Sequence, residues 1–220
     1  MADKPRVKAP KQRSTPKAVD PTRNRRLLLY GLAGTAAVVA VLVLAALSLA
    51  GGDPGESDVR AALTEAGCTF KRAPALPGDH SIADPGATAA DWNTDPPTSG
   101  PHFGTATIFG IYEEPLEMAR VVHNLEHGGI FILWGDKVPK ATVDELRAFY
   151  GDHTTGTVMA PLPSLGNQFA LGAWNSDGEG GFGYLSKCKT YDEDAVSKFF
   201  RAFQFQGPER FQPEQLQPGL

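Results

Sequence analysis

The chain has 220 residues, of which 41% are hydrophobic and 21% are charged, and its formal net charge at pH 7 is −4. It contains no P-loop, dinucleotide-binding fingerprint, EF-hand or Cys-x-x-Cys pair, which excludes the function classes that depend on those motifs. The net charge hides an asymmetry, because residues 1–26 carry +7 and the remainder about −11. This asymmetry indicates that the two parts face different environments.

The N-terminal part is predicted to be a disordered tail followed by a membrane span. Residues 1–26 combine nine basic side chains with four prolines and have no apolar periodicity. The next segment, Leu27–Ala50, has 24 residues without a charge, and as a helix of about 36 Å it can cross a bilayer once. Because basic segments stay inside, we expect a cytoplasmic tail and a C-terminal part outside the plasma membrane.

Two alternatives to this interpretation of the N-terminus are weaker. A cleaved signal peptide has an apolar region of about 7–15 residues, which is much shorter than the 24 residues of the segment Leu27–Ala50. No nucleic-acid partner is expected, because no nucleic-acid-binding fold accompanies the basic charge. The membrane is therefore the one partner that the sequence predicts.

The remaining sequence predicts a linker at 51–56, an extracytoplasmic domain at 57–208 and a C-terminal tail at 209–220. Residues 73–101 contain six prolines and no periodicity, which predicts an ordered loop. Periodicity predicts helices at 57–66, 116–127, 142–150 and from 192 onward, and strands at 107–112, 129–134, 157–162 and 168–175. About four helices mixed with strands in no strict βαβ order predict an α+β fold with a small mixed or antiparallel sheet.

The two cysteines, Cys68 and Cys188, both fall in the predicted outer domain. In an oxidising compartment the default for two such residues is a disulfide between them. Free thiols or soft metal ligands are the alternative.

The predicted helix at 116–127 carries a polar group of chemical interest. Its apolar residues recur at helical spacing, and His123, Glu126 and His127 fall on the opposite face. Two histidines four residues apart can chelate one metal ion. The order of these residues also matches the His-x-x-Glu-His pattern of inverted zinc metalloproteases, in which the glutamate is the general base. A metal-dependent hydrolase with Glu126 as its catalytic base is therefore one hypothesis.

A second element, the turn PPTSGPH at 96–102, is stiffened by three prolines and a glycine, so it holds Ser99 and His102 in fixed positions. If His102 reaches the helix, it completes a set of three metal ligands with His123 and His127, which suits zinc or copper. His80 is a possible fourth ligand, and His153 is placed at a helix end. Candidate ligand-binding residues are Ser99, Tyr112 and Trp174. The alternative is that these histidines only form structural hydrogen bonds.

Four segments together resemble the bacterial domain of unknown function 3105, over about residues 60–208. They are PPTSGPH at 96–102, the Gly-x-Tyr strand end at 110–112, VHNLEHGGIFILW at 122–134 and the strand end Ala173–Trp174. The resemblance implies a single-span protein with an extracytoplasmic domain and no assigned activity. Its motifs map onto His102, His123, Glu126, His127 and Gly128. The stretch 80–95 is longer than in the family pattern, so the resemblance gives His80 no role.

These observations leave three functions open. The first is binding of a metal or small ligand by the histidines. The second is a structural or interaction domain of the cell envelope with a hydrogen-bonded histidine cluster. The third is the metal-dependent hydrolase.

Overall fold

Four helices and six strands make up the domain in the computed structural model, which describes residues 53–80, 91–176 and 181–219. The helices are α1 (Glu56–Glu65), α2 (Met118–Glu126), α3 (Lys140–Asp152) and α4 (Glu193–Phe203). The strands are β1 (Thr69–Pro74), β2 (Gly110–Ile111), β3 (Ile130–Trp134), β4 (Thr157–Pro161), β5 (Phe169–Asn175) and β6 (Phe182–Cys188). The predicted α+β class is confirmed.

The strands form one mixed sheet in the order β1-β6-β5-β3-β4-β2. The pairs β1–β6, β6–β5 and β5–β3 are antiparallel, whereas β3–β4 and β4–β2 are parallel. The parallel pair β3–β4 is joined by α3, because parallel neighbours need a crossover connection. The sheet thus has a parallel half, formed by β2, β4 and β3, beside an antiparallel half.

Two strands that the sequence did not predict, β1 and β6, form one end of the sheet. β1 is an edge strand with a single buried side chain, Ala73, so it lacks the apolar alternation that marks a strand. Conversely, the strand expected at 107–112 is reduced to Gly110–Ile111, which pairs with β4 at the other edge.

Each face of the sheet is covered by its own core layer. In β3, Ile130 and Ile132 belong to one layer and Phe131 and Leu133 to the other, as the period of two in a strand requires. Helices α1, α3 and α4 cover the first face, and α2 covers the second. The apolar stripe of α2 (Val121, Val122 and Leu125) is fully buried against that second face. The opposite, polar side of α2 therefore points away from the sheet.

The disulfide between Cys68 and Cys188 is confirmed, and it joins the start of β1 to the end of β6 across 120 residues of sequence. Both cysteines are buried in the layer that contains α1 and α4. The bond therefore ties the N-terminal helix to the sheet.

The predicted boundaries and the predicted span have different outcomes. Residues placed in a C-terminal tail at 209–220 pack on the domain: Leu216 is 1% exposed, and its carbonyl accepts a hydrogen bond from Gly156 N. The domain therefore extends past 208, because this segment adds an apolar side chain to the second core layer. Among the described residues, no helix is long and apolar enough to cross a membrane. The basic tail and the span Leu27–Ala50 lie outside the described residues.

Candidate functional site

The polar side of α2 is buried rather than exposed to solvent. His123, Asn124 and Glu126 are at most 8% exposed, because the segment before the helix folds over them. Asn124 fixes that segment, since its side chain accepts a hydrogen bond from Thr107 N and donates one to Thr107 O. The periodicity of the sequence did not identify Asn124.

The end of α2 is set by Gly128. His127 is the C-cap, and Gly128 follows with φ +94°, in the left-handed region that glycine tolerates. Gly129 N donates to Asn124 O, which closes the helix end. A side chain at Gly128 would also meet the backbone of Phe205 at 3.0 Å. The chain therefore leaves the helix sharply and enters β3, with His127 at the turn.

Four of the five histidines gather around Glu126 and the end of α2. The first group, called here the inner group, consists of His80, His102, His123 and Glu126. Each offers one atom that could bind a metal, and these four atoms lie within 4.8 Å of one another. Glu126 Oε2 is 2.9 Å from His102 Nε2 and 3.1 Å from His80 Nε2. His102 is completely buried, whereas the side chain of His80 is 48% exposed. The inner group therefore runs from the interior to the surface.

Backbone carbonyls orient the two buried histidines. His102 Nδ1 is 2.7 Å from Gly100 O, and His123 Nδ1 is 2.6 Å from Phe103 O. A carbonyl oxygen only accepts, so each Nδ1 carries hydrogen and donates it. In the neutral ring, Nε2 then holds the lone pair. This arrangement, with one ring nitrogen donating to a carbonyl and the other available, is typical of histidines that bind metals.

The contact between His102 and Glu126 requires a cation between the two acceptor atoms. Burial opposes a charge on Glu126, but hydrogen bonds from His102 and His80 lower the pKa of Glu126 to about 2. Burial also opposes a charge on His102, but its hydrogen bonds to Glu126 and Gly100 outweigh burial and raise its pKa. Without a metal, a proton therefore lies between His102 Nε2 and the Glu126 carboxylate.

A second group, called here the outer group, consists of His123, His127 and Glu209. His127 Nε2 is 3.0 Å from His123 Nε2 and 3.1 Å from Glu209 Oε2. Burial and the neighbouring His123 lower the pKa of His127 to about 4, and burial also lowers the pKa of His123. The rings of His127 and Phe211 stack with centroids 4.0 Å apart.

The backbone of the C-terminal segment holds Glu209 in this place. Glu209 N donates to Glu126 O, and Phe205 N donates to Gly128 O. Glu209 was not identified from the sequence, because it follows the last helix in a stretch without periodicity. The outer group thus depends on the segment that was predicted to be a tail.

The wall of the inner group is formed by Gly78 and Trp174. A Cβ added at Gly78 would lie 2.3 Å from Glu126 Oε1 and 3.2 Å from the Trp174 ring. Trp174 is 3% exposed, its ring meets His102 edge-on at 6.0 Å, and its Nε1 has no hydrogen-bond partner in the described part of the chain. The position of Glu126 therefore depends on the missing side chain at Gly78.

The predicted site residues fall into separate places. His102, His123 and Glu126 come together in the inner group, and the structure adds His80 to them. His127 instead joins His123 and Glu209. Ser99 Oγ accepts a hydrogen bond from Leu76 N, and the Tyr112 hydroxyl donates to Ile108 O, so each has a partner outside both groups.

His153 is the remaining histidine, and it lies apart from the cluster. It stacks on Phe149 at 3.9 Å and lines a cavity of about 930 Å³ beside α4. Substitution of His153 can therefore serve as a control for substitutions of the histidines in both groups.

The chemistry of the inner group suits a first-row transition metal. Its donors are imidazole nitrogens and one carboxylate oxygen, which zinc, copper, iron and nickel accept. Sulfur does not contribute, because both cysteines are in the disulfide. Two ligands held at 2.0–2.1 Å from a tetrahedral ion are about 3.3 Å apart, and the ligand atoms of the inner group are separated by distances from 2.9 Å, at His102 and Glu126, to at most 4.8 Å, a range that includes this spacing. The residues present therefore fit a metal.

Comparison with known proteins places the chain in a family without giving it an activity. No curated protein and no solved structure matches the chain. The family model described as "Protein of unknown function (DUF3105)" matches residues 86–216, which contain His102, His123, Glu126, His127 and Glu209. This match covers more than half of the sequence, so the chain belongs to the DUF3105 family of proteins of unknown function.

Proposed function

We propose that the protein is a single-pass plasma membrane protein whose extracytoplasmic domain binds one divalent transition metal, zinc or copper. The ligands are His80, His102, His123 and Glu126. The location rests on the basic tail and the uncharged segment Leu27–Ala50. The Cys68–Cys188 disulfide supports an outer domain, because disulfides persist in oxidising compartments.

One observation carries the metal proposal. His102 and His123 both donate Nδ1–H to backbone carbonyls, at 2.7 and 2.6 Å, so Nε2 is the ring nitrogen that each can offer to a metal in place of its present partner, Glu126 or His127. At His102 the Nε2 lone pair meets the Glu126 carboxylate at 2.9 Å, a contact between two acceptors that a cation must bridge. A divalent metal in place of the proton satisfies both groups and adds His80 and His123 as ligands.

Glu126 serves as a ligand in this proposal and not as a general base. An efficient general base has a pKa near the working pH. Hydrogen bonds from His102 and His80, acting against burial, lower the pKa of Glu126 to about 2. The contacts of Glu126 Oε2 with His102 and His80 place the carboxylate among the ligands, which favours metal binding over the metal-dependent hydrolase.

The deciding experiment is metal content per chain. The full-length protein is purified in detergent without chelator, reloaded with zinc or copper, and compared with His102→Ala, His123→Ala and the control His153→Ala. We expect about one ion per chain in wild type and His153→Ala, and a loss of at least tenfold in affinity in the other two. Less than one ion per ten chains in reloaded wild type would reject the proposal.

A second candidate, a structural envelope domain, is favoured by the hydrogen bonds of the cluster. Each of the four clustered histidines has at least one hydrogen-bond or ion-pair partner. In that case wild type binds no metal, and His123→Ala lowers the free energy of unfolding by about 1–3 kcal/mol because Phe103 O loses its donor. The metal content of wild type, measured beside melting curves of the same variants, distinguishes the two functions.

The proposed topology has its own test. With an uncleaved anchor, the mature chain begins before residue 27, and protease added to cells with permeable walls degrades the domain but spares the tail. A mature N-terminus at Gly51, or a domain that the protease does not reach, would contradict the anchor.

A further inference from the structure

His123 belongs to both groups but has only one nitrogen available for a metal. Its Nδ1 is held by Phe103 O at 2.6 Å, so Nε2 must serve the inner group and the outer group alike. One lone pair binds one ion. The two groups therefore cannot both hold a metal through His123 at the same time.

Given the proposed metal binding, we infer that the outer group of His123, His127 and Glu209 is a second, alternative position for the same ion. The ion enters there and passes to the inner group. His123 stays bound during the transfer, while His127 and Glu209 are exchanged for His80, His102 and Glu126. The chain thus holds one ion in either of two positions.

The charge of the exposed side chains gives the direction of this transfer. Each group has one exposed member, His80 at 48% in the inner group and Glu209 at 40% in the outer group, but only Glu209 is a carboxylate, because the inner carboxylate, Glu126, is 10% exposed. Glu209 is a solvent-facing carboxylate, which attracts a divalent cation from solution. The outer group thus presents the more accessible negative charge of the two groups.

The outer group is also built in advance. Glu209 is fixed by its backbone bond to Glu126 O, and the His127 ring is held by stacking on Phe211. The nitrogen atoms of His123 and His127 are already 3.0 Å apart. The three side chains that would bind the ion, two from α2 and its C-cap and one from the C-terminal segment, therefore meet without rearrangement of the backbone.

The first test measures uptake. Metal-free full-length protein is mixed with Zn²⁺ in a stopped-flow instrument with a chromophoric zinc indicator. Glu209→Gln is expected to slow uptake by about tenfold, a larger factor than its effect on equilibrium affinity. The control Glu214→Gln removes the same charge from an exposed position in the same segment, and it is expected to take up Zn²⁺ at the wild-type rate.

The second test traps the ion in the outer group. His102→Gln disables the inner group, and His80→Ala weakens it at an exposed side chain without opening a buried cavity. Both variants are expected to bind one Co²⁺ about 100-fold more weakly than wild type, with a changed visible absorption spectrum. Adding Glu209→Gln to either variant is expected to abolish the remaining binding.

Three results would overturn the inference. They are two ions per wild-type chain at saturation, uptake that Glu209→Gln leaves unchanged, and residual Co²⁺ binding that persists in the double variants. Two ions per chain would reject the sharing of one ion between the groups, and either of the other results, with one tightly bound ion in wild type, would reject the outer position; each of these outcomes keeps the inner site. Wild type without any bound ion rejects both.

Discussion

Glu126 Oε2 lies 2.9 Å from His102 Nε2, while the other nitrogen of His102 donates to Gly100 O. The pair is buried between α2 and the turn that carries His102, and it joins two parts of the chain that are 24 residues apart. In the metal-free protein this ion pair holds the turn on the helix. The same atoms become metal ligands in the proposed function, so stability and binding depend on one contact.

Removal of the Glu126 carboxylate should therefore destabilise the metal-free domain. Glu126→Ala is expected to lower the free energy of unfolding by about 3–5 kcal/mol, because it leaves His102 buried without its partner. Glu126→Gln should cost less, because the amide can donate to His102 Nε2. Urea unfolding in the presence of chelator, followed by tryptophan fluorescence, measures both. Glu113→Gln, which breaks an exposed pair with Arg147, is the control and should cause no measurable change. Equal losses in the two Glu126 variants would contradict this account.

The pH dependence of stability should carry the signature of His127. Burial and the nearby His123 lower the pKa of His127 from 6.5 to about 4, so the unfolded chain binds a proton in this range more readily than the folded chain. Stability from this residue is complete above pH 6.5 and is lost as the pH falls toward 4. The loss corresponds to about 3 kcal/mol.

Burial also lowers the pKa of His123, which adds to this loss in the same sense, whereas two other neighbours titrate with a different sign or range. The lowered pKa of Glu126 adds a loss of stability that begins only below about pH 4.5 and continues toward pH 2. The raised pKa of His102 acts in the opposite sense, because the stability that it contributes is lost as the pH rises through the pKa of His102 in the folded protein. We measure the free energy of unfolding by urea in the presence of chelator. Between pH 6.5 and 4 it should therefore depend less on pH in His127→Gln than in wild type. An unchanged slope would show that His127 does not cause the loss.

The sequence predicted those residues of the site that belong to a recognisable pattern within a short segment. His123, Glu126 and His127 lie within one helical turn, so helical periodicity placed them on one face, and prolines fixed the turn that carries His102. His80 and Glu126 are 46 residues apart, and only the packing of the loop brings them together. Glu209 gave no signal, because its position is set by backbone hydrogen bonds to the end of α2. The same limit explains the missed edge strand β1, whose pairing with β6 leaves most of its side chains exposed.

The disulfide should contribute strongly to stability. It joins Cys68 to Cys188 across 120 residues, so it restricts a large loop of the unfolded chain. Cys68→Ser is expected to lower the free energy of unfolding by about 2–5 kcal/mol. The double variant with Cys188→Ser should match it, because both remove the same bond. Mass mapping without reductant that finds two free thiols in wild type would contradict the bond itself.

Gly78 offers a way to disturb the inner group without removing a ligand. A methyl group there would lie 2.3 Å from Glu126 Oε1, so Gly78→Ala must displace the carboxylate from His102 and His80. Gly104→Ala is the matched control, because its methyl group would meet only His80 Cβ, at an ordinary contact distance of 3.9 Å. We expect Gly78→Ala to weaken Zn²⁺ binding by about 10–100-fold, as the loss of a ligand's orientation does. Gly104→Ala should bind Zn²⁺ as wild type does. Competition with a zinc indicator measures both affinities, and wild-type affinity in Gly78→Ala would show that the Glu126 carboxylate does not bind the ion.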